Sequence, residues 1–163
     1  MTTIYLIGFM GSGKSSIGKK LSEMMDVTQA DTDIFVEEKH QMSIADIFKN
    51  DGESAFRTYE TEALKQITDK IISTGGGIVE KDVNRSFMRK NGFIIYLQTS
   101  FDTIARRLQN DQERPLWQKN MSDQKKMYER RAEMYKSCCD YIVVTDNKSI
   151  NEIAKEIINL LKC

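Results

Sequence analysis

The strongest constraint in this sequence is a glycine-rich segment that follows the first apolar run. Residues 4–7 form that run, and residues 8–15 read Gly-Phe-Met-Gly-Ser-Gly-Lys-Ser, with a helical pattern behind them. This is the G-x-x-x-x-G-K-[ST] loop in its expected place between a strand and a helix. Glycines let backbone N–H groups surround a phosphate, and the N-terminus of the next helix adds positive charge. The segment therefore predicts a site for a nucleoside triphosphate.

The side chains of this loop carry the expected chemistry. We expect Lys14 to reach the β- and γ-phosphates and the Ser15 hydroxyl to bind Mg²⁺. A guanine-specific switch would also carry Asn-Lys-x-Asp, but the nearest match, residues 147–150, ends in isoleucine. The loop does not by itself identify the phosphate acceptor. The expected nucleotide contacts within it are Gly11, Ser12, Gly13, Lys14, Ser15 and Ser16.

The rest of the chain has the pattern of a single α/β domain covering residues 1–163. Apolar β-branched runs alternate with segments of helical period, which favours a mostly parallel sheet with helices packed on it. A chain of 163 residues buries roughly two-thirds of its unfolded surface, enough for a core without metal or disulfide. The pattern predicts five strands, at residues 4–7, 27–30, 70–73, 92–97 and 141–144.

Two stretches depart from this simple alternation. Residues 33–66 are long for a crossover, and the turn signal Asn50-Asp51-Gly52 divides them into at least two helices. We expect residues 33–61, approximately, to form a substrate-binding insertion. Residues 109–122 are polar and contain the only proline, Pro115, which predicts a loop that acts as a lid.

The charge balance limits the partners of the chain. Lysine plus arginine and aspartate plus glutamate each number 24, so no net charge attracts nucleic acid or an anionic membrane. The start has no basic region, and no stretch reaches the roughly 18 apolar residues of a membrane span. We therefore expect a cytoplasmic protein without nucleic-acid or membrane partners. Three cysteines and one histidine fit neither a disulfide framework nor a zinc site.

Candidate acceptor-binding residues begin with Asp31-Thr32-Asp33, directly after the weak second strand. Alternation along an extended segment predicts that both carboxylates point toward the carboxyl end of the sheet, where α/β proteins bind ligands. One could order a water on Mg²⁺ while the other accepts a hydrogen bond from a substrate hydroxyl. A solvated acidic turn is the alternative, but the preceding phosphate loop favours the functional interpretation.

Two further segments could bind the carboxylate of an acidic substrate. Arg57 and Glu60 are spaced i, i+3, so the glutamate could orient the guanidinium as a carboxylate clamp, with an exposed ion pair as the alternative. The third predicted strand ends in three glycines, residues 75–77, where the backbone can approach a ligand closely.

Basic residues in the second half could meet the phosphates. Arg114 lies in the predicted lid, within Glu-Arg-Pro-Leu, where it could close over the γ-phosphate. Arg130 and Arg131 lie in a helical segment, and spacing alone favours a solvated pair there.

Together, the phosphate loop, Asp-x-Asp, Phe-Arg-x-x-Glu, Gly-Gly-Gly and Arg-Pro-Leu closely resemble the shikimate kinase family over the whole chain. The resemblance implies a three-layer, nucleoside-monophosphate-kinase-like fold with a five-stranded parallel sheet in the order 2-3-1-4-5. It also implies transfer of the γ-phosphate of Mg·ATP to the 3-hydroxyl of shikimate, giving shikimate 3-phosphate and ADP on the route to chorismate and aromatic amino acids. The same resemblance favours a monomer.

The resemblance assigns roles residue by residue. It implies that Lys14, Asp33 and Arg114 act in catalysis, and that Ser15 binds Mg²⁺ with Asp31 acting through water. It implies shikimate contacts for Asp33, Arg57, Gly76, Gly77 and Arg131.

Two of these arginine assignments have a neighbour as an alternative. Arg107 matches an arginine that packs against adenine, and Arg106 lies beside it. The family motif Arg-x-Pro-x-Tyr reads Arg-Ala-Glu-Met-Tyr at residues 131–135, with glutamate in place of proline. The distance to the tyrosine selects Arg131 over Arg130.

Two other functions compete with this interpretation. The first is another small-molecule kinase of the same fold, such as a gluconate kinase or a nucleoside-monophosphate kinase, for which different acceptor motifs are expected. The second is a noncatalytic nucleotide-binding module. Every expected catalytic residue is present, and ATP binding without phosphate transfer would identify the noncatalytic alternative.

Overall fold

A parallel β-sheet of five strands lies at the centre of the computed structural model, which describes residues 2–109 and 121–163. Its order is β2-β3-β1-β4-β5. The sheet confirms the five predicted strands and the order that the resemblance implies. The strands are β1 (Thr3–Ile7), β2 (Gln29–Asp31), β3 (Ile71–Ser73), β4 (Gly92–Gln98) and β5 (Tyr141–Val144).

Helices cover both faces of this sheet. None of the helices in the described ranges is long and apolar enough to cross a membrane. A short 3₁₀ helix, Ile78–Glu80, follows β3. The α-helices are α1 (Lys14–Met25), α2 (Thr32–His40), α3 (Ile44–Asn50), α4 (Glu53–Gln66), α5 (Asp82–Asn91), α6 (Phe101–Gln109), α7 (Met121–Cys138) and α8 (Ile150–Leu161).

The second strand begins two residues later than predicted, at Gln29, and ends one residue later, at Asp31. Val27 instead lies in the turn after α1, held back on the helix because its N–H donates to the Ser22 carbonyl at 3.2 Å and its carbonyl accepts from the Ser22 hydroxyl at 2.5 Å. Strand β2 then pairs with β3 in parallel from Gln29 to Asp31. The shift places Asp31 at the carboxyl edge of the sheet.

The long stretch after β2 contains three helices. The predicted turn at residues 50–52 separates α3 from α4, as expected. A second break, after Gln41, arises because the Ser43 side chain caps α3 by accepting from the Asp46 N–H at 3.1 Å. Of the predicted lid, Gln109 ends α6 and residues 121–122 begin α7, whereas residues 110–120 lie outside the described ranges.

The core has two halves, one on each face of the sheet. Alternation along β1 sends Tyr5 and Ile7 to one face and Ile4 and Leu6 to the other. The first half is packed by residues of α2 to α7, and the second by residues of α1 and α8. Burial on both faces is usual for a parallel sheet and leaves its carboxyl edge as the open side.

Helix α1 lies very close to β3. A Cβ atom added at Gly18 would overlap the Ser73 hydroxyl, and that hydroxyl donates to the Lys14 carbonyl at 2.9 Å. The start of α1 and the end of β3 are therefore fixed against each other. These two ends carry the phosphate loop and the three-glycine segment.

We expect Gly18→Ala to destabilise the fold by about 1–3 kcal/mol, because the new methyl group overpacks the contact with Ser73. Ser73→Ala alone should cost about 1 kcal/mol through the lost hydrogen bond. The double variant should lose less than the sum, since the overlapping hydroxyl is gone. Chemical denaturation measures all three, with Lys19→Ala on the exposed side of α1 as a control that changes stability by about 0.5 kcal/mol or less. Additive losses would contradict the packing argument.

Candidate active site

The phosphate loop connects β1 to α1 and packs against the sheet. A Cβ atom added at Gly8 would lie 2.8 Å from the Leu97 carbonyl of β4, so the loop backbone lies directly on that strand. Gly13 caps α1 with φ 94°, a left-handed conformation that side chains disfavour. The two glycines hold the loop in a compact turn that ends at the N-terminus of a helix.

The charged side chain of the loop is folded into it. Lys14 is buried, and its Nζ donates to the carbonyls of Gly8 at 2.6 Å and Phe9 at 3.0 Å. At the next position, the Ser15 hydroxyl donates to Asp31 Oδ2 at 2.6 Å. An ammonium group, a hydroxyl and a carboxylate are thus grouped at the phosphate loop.

The predicted extended arrangement of Asp31 and Asp33 is wrong. Asp31 ends β2 and caps α2, because its Oδ1 accepts from the N–H groups of Asp33 at 2.9 Å and Ile34 at 3.3 Å. Aspartate is a favoured N-cap since it satisfies N–H groups that the helix cannot. Asp33 consequently lies in the first turn of α2. The two carboxylates point to different places: Asp31 to Ser15, and Asp33 to the glycines after β3.

Gly75 is the point at which two carboxylates meet. A Cβ atom added there would lie 2.6 Å from Glu60 Oε2 and 2.7 Å from Asp33 Oδ1. Its N–H donates to the Thr32 hydroxyl at 2.9 Å. A side chain at this position would displace one of the acids, so the site requires glycine here.

The next two glycines face basic groups. A Cβ atom added at Gly76 would lie 3.4 Å from the Met10 nitrogen of the phosphate loop and 3.5 Å from Arg131 Nη1. One added at Gly77 would lie 2.6 Å from Arg57 Cζ. Successive residues of one short segment therefore border the acids, the phosphate loop and both predicted substrate arginines.

The three-glycine segment is held in place by Tyr135, a residue that the sequence motif used only to choose between Arg130 and Arg131. Tyr135 on α7 is fully buried, and its hydroxyl donates to the Gly76 carbonyl at 2.6 Å. Arg131, one helical turn earlier, lies with Cζ 6.0 Å from the centre of the Phe9 ring. Helix α7 thus reaches the glycine segment through both residues, and the Arg-x-x-x-Tyr spacing was the available signal.

The predicted pair of Arg57 and Glu60 is confirmed, with Nη1 and Oε1 3.0 Å apart. It is not an exposed surface pair, since the Glu60 side chain is only 1% exposed. Burial raises the pKa of Glu60 to about 7, against the opposing effect of Arg57 and with a further increase from Asp33. A second, looser partner, Glu53, lies 3.6 Å from Arg57 Nη2.

The two adjacent arginines of α7 differ in environment. Arg131 has a side chain that is 6% exposed and borders Gly76, whereas the Arg130 side chain is 53% exposed. Arg130 instead binds Glu80, an acid that sequence analysis did not single out. Spacing alone predicted that both arginines are solvated, and this holds for Arg130 only. Arg131 lies at the candidate site.

The predicted adenine arginine lies beside the phosphate loop. Arg107 Nη1 donates to the Gly11 carbonyl at 2.8 Å, whereas Arg106 contacts Thr103 on its own helix at 3.3 Å. This geometry favours Arg107 of the two candidates. Arg114 lies outside the described ranges.

The raised pKa of Glu60 predicts a pH dependence of stability. Because the ordinary value is 4.5 and burial raises it to about 7, the folded chain binds more protons than the unfolded chain between these values. Relative to Glu60→Gln, the wild type should therefore lose on the order of 3 kcal/mol of unfolding free energy as pH rises from 4.5 to 8. Denaturation curves across this range measure the difference. The exposed Glu62→Gln is the matched control, and a pH-independent difference for Glu60→Gln would contradict the prediction.

Comparisons with known proteins agree with this geometry. A family model described as shikimate kinase matches residues 10–162. The chain is 40% identical to a shikimate kinase of Dictyoglomus turgidum, over 99% of this chain and 98% of that protein. It is 31% identical to a shikimate kinase of Acinetobacter baumannii solved in complex with shikimate, with a TM-score of 0.93 over 99% of this chain and 93% of the other.

The same comparisons bear on the competing gluconate kinase interpretation. A gluconokinase of Sinorhizobium meliloti is 15% identical, with a TM-score of 0.54 over 99% of this chain and 91% of that one, which is a likeness of fold alone. The match at family level is to shikimate kinases, over nearly the whole chain. This chain therefore belongs to the shikimate kinase family.

Proposed function

We propose that this protein transfers the γ-phosphate of ATP to the 3-hydroxyl of shikimate, producing shikimate 3-phosphate and ADP. The observation that carries the proposal is the three-glycine segment at residues 75–77, which borders two acids, two arginines and the phosphate loop at once. Family membership supports the same activity.

The proposed substrate suits this arrangement chemically. Shikimate is a small ring with one carboxylate and three hydroxyls, so its site needs cations on one side and a hydrogen-bond acceptor on the other. Arg57 at Gly77 and Arg131 at Gly76 supply the cations, and Asp33 at Gly75 supplies the acceptor. Because the three glycines are consecutive, the acceptor and the two cations border neighbouring backbone positions.

In the proposed reaction, the 3-hydroxyl oxygen attacks the γ-phosphorus, and the bond from that phosphorus to the bridging oxygen of ADP breaks. Asp33 accepts the hydroxyl proton as the new bond forms. Lys14 exchanges its loop carbonyls for the transferring phosphoryl group and neutralises its charge. Arg114, from the proposed lid at residues 109–122, adds a second cation. Positioning and charge neutralisation then account for most of the rate.

The residues beside the phosphate loop fit Mg²⁺. Ser15 and Asp31 place a hydroxyl and a carboxylate oxygen 2.6 Å apart, and Mg²⁺ prefers oxygen ligands of these kinds. We assign direct binding to Ser15 and contact through water to Asp31. Bound with ATP, the ion would supply charge neutralisation at the β- and γ-phosphates.

We extend the proposal to the substrate-binding insertion, to the assembly and location of the enzyme, and to its nucleotide contacts. Residues 33–61, approximately, form the substrate-binding insertion. The enzyme acts as a monomer in the cytoplasm with no nucleic-acid or membrane partner. The nucleotide contacts are Gly11, Ser12, Gly13, Lys14, Ser15, Ser16, Arg107 and Arg114.

A coupled assay of ADP release tests the proposal, with Mg·ATP and, in parallel, shikimate, gluconate, AMP, CMP or no acceptor. We expect turnover only with shikimate. Asp33→Asn should lower kcat by about 10²–10⁴-fold, because the amide cannot accept the proton. Asp102→Asn, at an exposed acid on α6 outside the proposed insertion, is the control that leaves kcat unchanged.

Other outcomes would overturn specific parts of the account. Turnover with gluconate or a nucleoside monophosphate would reject the acceptor and keep the phosphate loop. ATP binding without transfer to any acceptor would support the noncatalytic alternative. Full activity of Asp33→Asn would remove that carboxylate from the mechanism.

A further inference from the structure

Glu80 lies between the two adjacent arginines of α7. It ends the 3₁₀ helix that follows the glycine segment, so its backbone is anchored within three residues of Gly77. Its Oε1 accepts from Arg130 Nη1 at 2.7 Å and its Oε2 from Arg130 Nη2 at 2.9 Å. Oε2 also lies 3.7 Å from Arg131 Nη2. One carboxylate therefore has two guanidinium groups within reach. It hydrogen-bonds to Arg130 and forms only a loose ion pair with Arg131.

Glu80 hydrogen-bonds to the more exposed of the two arginines, which is the opposite of what burial alone would favour. A charge pair is stronger where water is excluded, so a carboxylate free to move would pair with the buried arginine. Arg131 is the buried one, at 6% exposure, and Arg130 is 53% exposed. The bidentate pair with Arg130 thus keeps Glu80 beyond hydrogen-bond distance of Arg131.

Two features of the Arg131 guanidinium fit its lack of a hydrogen bond to Glu80. Its Nε is buried and has no hydrogen-bond partner among the described residues. Its Nη1 faces Gly76, on the side proposed for the substrate carboxylate. A Glu80 carboxylate that moved about 1 Å closer would form a charge-assisted hydrogen bond with Arg131 Nη2 and draw this guanidinium away from a substrate carboxylate at Gly76.

We propose that Arg130 is a positioning residue that holds Glu80 away from Arg131, so that Arg131 stays available to the carboxylate of the substrate. The inference rests on the proposed function and deepens it, because it concerns recognition of the acid group and leaves the phosphoryl-transfer step unchanged. Arg130 acts through Glu80 and has no contact with substrate.

The central variant is Arg130→Gln, which releases Glu80. We expect KM for shikimate to rise about tenfold, equivalent to about 1.4 kcal/mol, while kcat and KM for ATP change by less than about twofold. Arg130→Lys keeps the charge but loses the bidentate geometry, so it should give an intermediate KM. Lys136→Gln, which removes another surface cation of α7, is the matched control and should leave KM unchanged.

The double variant Glu80→Gln/Arg130→Gln separates this mechanism from a simple loss of positive charge. Without the Glu80 carboxylate nothing competes for Arg131, so KM should return to that of Glu80→Gln alone. If Arg130 acted only through its own positive charge, its removal would raise KM equally in both backgrounds. If the Glu80–Arg130 pair only anchored α7, Glu80→Gln alone would raise KM as much as Arg130→Gln does, whereas we expect Glu80→Gln to keep KM near the wild-type value. Equal effects would overturn the proposal, and so would an unchanged KM in Arg130→Gln.

Calorimetric titration with shikimate, with thermal melting as a check of folding, provides a readout independent of turnover. We expect the dissociation constants to follow the KM values, including the recovery in the double variant. A wild-type protein that neither binds nor phosphorylates shikimate would reject the proposed function itself. A wild type that does both, with no difference in Arg130→Gln, would reject only the role of Arg130.

Discussion

The candidate site depends on three consecutive residues after β3 that have no side chains. Groups from α2, α4, α7 and the phosphate loop approach Gly75, Gly76 and Gly77 so closely that a single added carbon would displace an acid at the first and a guanidinium at the last. Close approach of backbone to functional groups is the use for which glycine is suited. The acids, the cations and the phosphate loop therefore all lie against one three-residue segment.

The fold places this segment and the phosphate loop side by side. Strands β1 and β3 are parallel neighbours, so the residues that follow them emerge at the same edge of the sheet. The contact of Gly18 with Ser73 brings α1 onto β3, and Tyr135 ties α7 to the Gly76 carbonyl. Core packing and site geometry are thus linked through the same few contacts.

Sequence reasoning succeeded where function rests on local spacing. The phosphate loop, the turn at residues 50–52 and the pair of Arg57 with Glu60 all follow from patterns a few residues long. It failed for Asp31 and Asp33, because a helix cap overrode the assumed extended backbone. It also missed Glu80, whose partner Arg130 is 50 residues away, a separation that no local pattern encodes. The burial that raises the pKa of Glu60 likewise depends on tertiary packing.

Arginines beside the glycine segment are proposed to recognise a carboxylate, and a binding experiment with a neutral analogue tests this role most directly. Shikimate and its carboxamide would be titrated into the wild type and into Arg57→Ala. We expect the wild type to bind the amide about 100-fold more weakly, and Arg57→Ala to lose about 2–5 kcal/mol of shikimate affinity with ATP binding nearly intact. The difference between acid and amide should shrink in the variant. Equal affinity of the wild type for both compounds, or equal loss of shikimate and ATP binding in Arg57→Ala, would contradict the account.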